Sequence, residues 1–324
     1  MLTYDKYVID STGAFLIGEL ERLDQTLHQP LYNTTWGRDI DLREDVSIAD
    51  EVSSFTNSSF AALGSPLTGG KNWIGKNSNA IPGPALDIGK TSSPLYLWGA
   101  EISYTIPELL SAQQMGRPVD AQKFQAMQVK YQMDIDEQVY IGDTGFGKYG
   151  LVNSNLVTSA SVDIGTAGYT EWEYKTPDEI LEDVNSLINA CYEAAAYAVC
   201  PSKLLLPPAK FAHIVSRKVS DAGNISILQF LEDNSISLKI NGKKLDIQPC
   251  KWLTGRGTAM GSPAVASNRM VCYTQDKDKV RFPLVPLQKT PLEYRSIYHL
   301  TTYFGRLGVV EMVYPETLYY ADGI

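Results

Sequence analysis

Basic charge, histidine and cysteine are all in short supply in this chain. Its 324 residues carry 28 Lys and Arg against 37 Asp and Glu, a net charge of −9. A reader of nucleic-acid sequence needs the opposite, a basic stripe that displaces counterions. The deficit remains compatible with a container for nucleic acid, because an acidic inner wall lets packaged DNA slide. Only His28, His213 and His299 occur, far apart in sequence, and His299 sits in an alternating, strand-like run where a packed ring fits better than a base. Cys191, Cys200, Cys250 and Cys272 show no C-x-x-C spacing; they read as buried thiols of a reducing compartment, not as zinc ligands or a disulfide framework. No G-x-S-x-G or H-E-x-x-H motif occurs. Acidic pairs such as Asp134/Asp136 fall on the polar side of a helical run, a solvated or interface face. No stretch approaches a membrane span, and residues 1–20 lack a secretory signal. The expectation is a cytosolic chain with no membrane partner and no catalytic, cofactor or metal site.

What is present is enough apolar residue, 44%, and little enough charge, 20%, for a folded body with a sizeable core. The most informative segment is 116–153. Phe124, Met127, Tyr131, Ile135 and Val139 recur every three or four residues, with Ala126, Val129, Met133 and Tyr140 as a second stripe. Asp120 is placed to cap the start, and no Gly or Pro interrupts the run before Ile141. The predicted helix is roughly 30 Å long and stops at Gly142, Asp143, Gly145, Gly147 and Gly150, a structural turn. Residues 142–148 also fit G-x-x-x-x-G-K, most of a phosphate-cradling loop. That motif needs Ser or Thr next, and a helix to open. Here Tyr149 follows and the glycines close a helix, leaving the negative end of its dipole at the turn.

Along the rest of the chain, residues 14–27 predict a short amphipathic helix in an N-terminal arm. Such a piece needs a partner surface, and Tyr4, Tyr7, Phe15 and Leu20 are its candidate interface residues. Residues 38–49 and 96–104 alternate like long strands. The Gly/Pro-rich stretch 64–94 between them suggests the tip of a projecting β-hairpin, with Lys71, Trp73, Ile74, Lys76 and Ile81 as candidate contacts. Thr105–Glu108 and Thr176–Glu179 are capping boxes opening helices. The second helix carries Ile180, Val184, Leu187, Ile188, Cys191 and Ala195 on its apolar face. Strands are predicted at 203–206, 245–253 and 269–274, helices at 208–219 and 225–232, and a final strand pair at 296–304 and 308–314.

The order of these elements, with Ile102-Ser103-Tyr104-Thr105-Ile106-Pro107-Glu108, the long helix, Gly142-Asp143-x-Gly145-x-Gly147-x-x-Gly150-Leu151-x-Asn153, and a closing Arg306-Leu307-Gly308 and Tyr314-Pro315-Glu316, resembles the major capsid proteins of tailed bacteriophages, with the Hong Kong 97-type fold. The resemblance implies an α+β architecture: an N-arm (1–36), an extended hairpin or E-loop (37–104), a P domain with a spine helix (105–150) and C-terminal strands (284–324), and an α/β A domain (151–283). It implies a non-enzymatic subunit that assembles with itself as pentamers and hexamers into an icosahedral virion shell in the bacterial host cytoplasm. Double-stranded DNA would be packaged without sequence specificity. Portal and scaffolding proteins are implied partners, with a decoration protein as an optional one. Two alternatives stay open on sequence: an encapsulin-like nanocompartment shell, and a nucleotide-dependent enzyme using residues 142–148.

Overall fold

The computed structural model describes residues 32–62, 76, 84–114, 119–219, 225–260 and 265–324. The N-terminal helix expected at 14–27, with Tyr4, Tyr7, Phe15 and Leu20, lies outside them, as do Lys71, Trp73, Ile74 and Ile81. The chain divides after Asn33, and Thr34–Ile324 form one unit.

The long helix spans Val119–Tyr140, 22 residues. It begins two residues earlier than an Asp120 cap would set, so Asp120 is already helical and cannot be the cap, whose backbone must lie outside the helix. Met127, Tyr131, Ile135 and Val139 are buried. Phe124 is only half-buried, packing its ring 5.4 Å from Tyr303. The expected second stripe does not form: Ala126 and Met133 are exposed and Val129 half-buried, leaving only Tyr140 in the core. One helix face suffices, because only one side of the helix meets a sheet.

That sheet has six strands. Tyr96–Thr105 and Tyr298–Leu307 pair antiparallel over their whole length, from Tyr96 opposite Leu307 to Thr105 opposite Tyr298. Val280–Lys289 lies on the other side of Tyr298–Leu307. Their register shifts between Val285 and Gln288, where Pro286 has no N–H to give the ladder. Asp41–Arg43 joins Val280–Lys289 in parallel and Glu311–Met312 joins it antiparallel. The sequence had paired 308–314 with 296–304. Instead the chain crosses at Gly308, whose amide donates to the Pro283 carbonyl at 2.9 Å and where any Cβ would press on the Pro283 ring. Residues 38–49 are not one long strand either: Trp36–Asp39 is a helical turn and only Asp41–Arg43 is extended.

A second sheet runs in the order Ser159–Ser161, Leu318–Asp322, Arg269–Tyr273, Lys203–Leu206, Asp246–Pro249. Its last-sequence strand, Leu318–Asp322, lies between Ser159–Ser161 and Arg269–Tyr273, so the C-terminus does not stay with the long sheet as 284–324 had been expected to. The reason is visible in the alternation of its side chains. Leu205, Val271, Tyr273 and Tyr320 enter one core with Tyr131, Ile135 and Val139 of the long helix. Leu204, Leu206, Met270, Cys272 and Ala321 enter another with Ile180, Val184, Leu187, Ile188 and Cys191 of helix Pro177–Ala194. One sheet therefore serves two cores, and both faces need apolar residues.

Val52–Ala62 and Pro84–Pro94 form a two-stranded hairpin that pairs with nothing else. Its second strand lies inside the stretch read as loop, and its first follows the stretch read as strand. Ser, Thr and Asn fill these strands because neither face covers a core, so the period-two apolar signal is missing.

The capping box at Thr176 is formed: its hydroxyl accepts from the Glu179 amide and Glu179 accepts from the Thr176 amide at 2.7 Å. Glu179 also accepts from the Thr166 amide and hydroxyl, both at 2.8 Å. The backbone donors of Thr166 and Thr176 hold its carboxyl at about 2, below the ordinary 4.5. A depressed carboxyl contributes stability that is present above its unfolded value and lost as pH falls toward the folded one. The acid limb of the stability curve, from pH 4.5 down to about 2, is therefore expected to flatten in Glu179→Gln. Denaturation midpoints measured across that range check it; parallel curves for parent and variant would contradict it.

Candidate assembly elements

The glycine turn closes the long helix by folding the chain back over its end. The amides of Leu151, Val152 and Gly150 donate to the carbonyls of Val139, Tyr140 and Ile141 at 2.9, 3.1 and 2.9 Å, satisfying acceptors that a helix end leaves open. Gly142 has φ +72°, and a Cβ there would lie 2.8 Å from the Lys148 carbonyl oxygen. A Cβ on Gly150 would overlap the Tyr140 carbonyl. Gly147 has φ +65° but faces open space. Asp143 Oδ1 accepts from the Gly145 amide at 3.0 Å, and the Asp143 carbonyl accepts from Phe146 and Lys148 at 3.2 and 2.9 Å. The Gly147 amide donates to Thr144 at 3.1 Å. The amides of Gly145, Phe146, Gly147 and Lys148, which a phosphate would need, are thus engaged inside the turn. Gly145, Gly147 and Gly150 also have the spacing of a dinucleotide fingerprint, but they follow a helix, where that motif follows a strand.

Two carboxylates missed on sequence organise the space beneath the turn. Asp136, read as solvated or interface-facing, is fully buried. Its Oδ1 accepts from the Thr35 and Trp36 amides at 2.9 and 3.2 Å, capping the turn Trp36–Asp39 from a distant helix. Its Oδ2 accepts from Trp252 Nε1 at 2.8 Å and pairs with Lys251 Nζ at 3.0 Å. Asp134 is half-buried and accepts from Trp98 Nε1 at 2.9 Å. Asp39, equally buried, pairs with Arg38 at 2.7 Å and Lys203 at 3.1 Å and accepts from the Tyr140 hydroxyl. Lys203 donates further to the Arg38 carbonyl at 2.6 Å, and Tyr273 donates to the Asp39 carbonyl at 2.6 Å. Burial, reinforced by Cys250 and Asp39, pushes the Tyr140 phenol far above its ordinary range, so it stays a donor. Helical spacing could not reveal Asp136: its partners lie about a hundred residues away in either direction.

All four cysteines are free and buried, and burial pushes the Cys250 thiol up to about 12. Among the described residues no group of His, Cys, Asp or Glu could hold a metal ion, and no helix is long and apolar enough to cross a membrane.

The hairpin leaves the body at Val52 and returns at Pro94. Leu86 and Ile88 on it are 62% and 63% exposed, and Lys76 is an exposed turn residue. Further large apolar side chains stand exposed on the body at Leu97, Ile164, Tyr174 and Tyr294. A long helix on a long sheet, a second α/β layer and a hairpin outside both sheets make the α+β architecture expected from the sequence.

Comparison with known proteins agrees. The family described as "Major capsid protein" matches residues 69–324, and the chain belongs to that family. The fold resembles the capsid of Myoviridae phage XM1 with a TM-score of 0.73 at 14% identity, covering 95% of this chain and 98% of that one. It also resembles the capsid of a native GTA particle (TM-score 0.58, 9% identity, 99% of each chain). A third similar structure is from Mycobacterium phage Che8, with a TM-score of 0.57 and 9% identity over 93% of this chain and 96% of that one. No curated protein matches the sequence. The fold is that of tailed-phage capsid subunits, α+β as the resemblance implied, and the function is to build a virion shell.

The turn and the buried Asp136 predict a graded series. Gly150→Ala is expected to prevent folding, because the obstruction is backbone. Gly147→Ala should cost only about 1–2 kcal/mol, the cost of a left-handed non-glycine residue. Asp136→Ala should cost on the order of 1–3 kcal/mol for each donor left buried and unpaired. Urea denaturation of unassembled subunit measures all three; equal effects of the two glycine substitutions would contradict the geometry.

Proposed function

We propose that this chain is the shell subunit of a tailed bacteriophage, assembling as pentamers and hexamers around double-stranded DNA in the host cytoplasm, with a purely structural role. The observation that carries the assembly reading is the hairpin Val52–Ala62/Pro84–Pro94, which pairs only with itself. Two-stranded hairpins are marginal alone, and its exposed Leu86 and Ile88 gain burial only against another chain, at roughly 25 cal/mol per Å². In this reading residues 37–104 contain an E-loop that lies over a neighbour, with Lys71, Trp73, Ile74, Lys76 and Ile81 at its tip. Tyr4, Tyr7, Phe15 and Leu20 bind neighbours through an N-arm. The long helix and six-stranded sheet form a P domain. Residues 151–283 form an A domain, extended by the strand Leu318–Asp322. The net charge of −9 suits a wall that contains DNA without gripping it, and portal, scaffolding and decoration proteins would be its other partners.

Replacing residues 68–82 by a short Gly-Ser bridge is expected to leave the body folded, with a cooperative thermal transition, while abolishing closed shells in electron micrographs. Normal shells from that variant would contradict the reading of the hairpin as a clamp on a neighbouring subunit. Particles of the parent that contain protein cargo and no DNA would instead point to a nanocompartment.

A further inference from the structure

The hairpin meets the body through one small polar cluster. Glu311, Arg281 and Arg43 come from three adjacent strands of the long sheet, where Arg281 stands opposite Asp41 on one side and Glu311 on the other. The Glu311 carboxylate is buried. It pairs with Arg281 Nε at 2.8 Å and with Arg43 Nη1 at 3.1 Å. The buried Ser53 hydroxyl donates to Glu311 Oε1, and Arg43 Nη1 donates to the Ser53 hydroxyl at 3.0 Å and the Ser54 carbonyl at 3.1 Å. Among the described residues, these are the hydrogen bonds from the two hairpin strands to the rest of the chain. They all fall on the first strand. Just outside the hairpin, Arg306 holds the Ile48 and Leu95 carbonyls at 2.7 and 3.1 Å, so both flanks are fixed to the body.

Among the described residues, the second strand has no such tether at its base. Thr91, Ser92 and Ser93 line a cavity of about 220 Å³, closed on the body side by the glycine turn at Lys148 and Tyr149 and by Met312. The cavity opens to solvent, and beside an anchor on the first strand it leaves room for the arm to tilt.

We infer that Ser53, Arg43 and Glu311 are positioning residues that set the angle of the hairpin arm, with the cavity under Thr91–Ser93 as the space into which it swings when they are broken. The use of that angle in assembly rests on the clamp reading above; the angle itself does not. A charge-assisted bond to a buried carboxylate is short and directional, which suits it to hold one orientation of an arm that has no face in either core.

Electron–electron double resonance on the full-length unassembled chain tests this, with nitroxides on Leu86→Cys in the hairpin and Val215→Cys on the body. The native cysteines are all buried, so the labels go to the introduced thiols. The parent should give one narrow distance distribution, and Ser53→Ala and Glu311→Gln should each broaden it at least twofold while the body melts cooperatively. Ser53→Ala removes a single hydroxyl and carries the test alone if Glu311→Gln does not fold. A parent distribution as broad as the variants', or variants as narrow as the parent, overturns the inference. Shell yield separates it from the clamp. A broadened arm with normal shells leaves the positioning role standing and removes the clamp. An unchanged arm with lost shells does the reverse.

Discussion

The structure of Thr34–Ile324 depends on two carboxylates sealed where its parts meet. Asp136 projects from the penultimate turn of the long helix and caps a turn a hundred residues earlier, while binding Trp252 and Lys251. Asp39 belongs to that capped turn and holds Lys203 of the second sheet and Tyr140 at the helix end. Long helix, N-terminal segment and second sheet are thereby joined through charge. Burying an ion costs several kcal/mol before any partner is found, so such a node is tolerable only when every oxygen is satisfied. Here the amides, indole, ammonium and phenol groups meet that demand. The geometry gives specificity of arrangement, because an apolar seam could slide and this one cannot.

Around that node the apolar residues divide in an economical way. Alternate residues of the second sheet feed two cores, so the sheet is the wall between the long helix on one side and helix Pro177–Ala194 on the other. A sheet buried on both faces resists register slip, since a one-residue shift would exchange the two sets. The hairpin is the opposite case. It has no face in either core, its strands are rich in Ser and Thr, and Val52, Leu86 and Ile88 on it are exposed. The body and the arm thus follow different rules: the body is built around two cores that share a sheet, and the arm contributes to neither.

The glycine turn shows how one local pattern can carry several readings. Its spacing suits a phosphate loop, a dinucleotide fingerprint or a helix stop. The deciding facts are where the amides point and what lies behind each glycine. Gly150 is a glycine because the Tyr140 carbonyl occupies the place of its Cβ, and Gly142 because of its left-handed backbone and the Lys148 carbonyl. The chain folds back as a C-terminal cap, and its donors face inward.

Periodicity alone determined the long helix, its buried face at Met127, Tyr131, Ile135 and Val139, the capped helix at Thr176 with its whole apolar face, and the strands at 203–206 and 269–273. These are segments in which local preference and burial agree, so the pattern of the chain carries the answer. The order of the elements carried the family as well. Tertiary structure decided what local pattern cannot encode. The partner of Glu311–Met312 and the membership of Leu318–Asp322 depend on where a chain crosses after Gly308. The hairpin strands lack alternation because no core lies beneath them. Asp136 and Asp134 look like solvent-facing acids on a helix, and only the arrival of Trp36, Trp252 and Trp98 from distant segments makes Asp136 a buried acceptor and Asp134 a half-buried one. A carboxylate's role is set by its neighbours in space, and those are chosen by the fold.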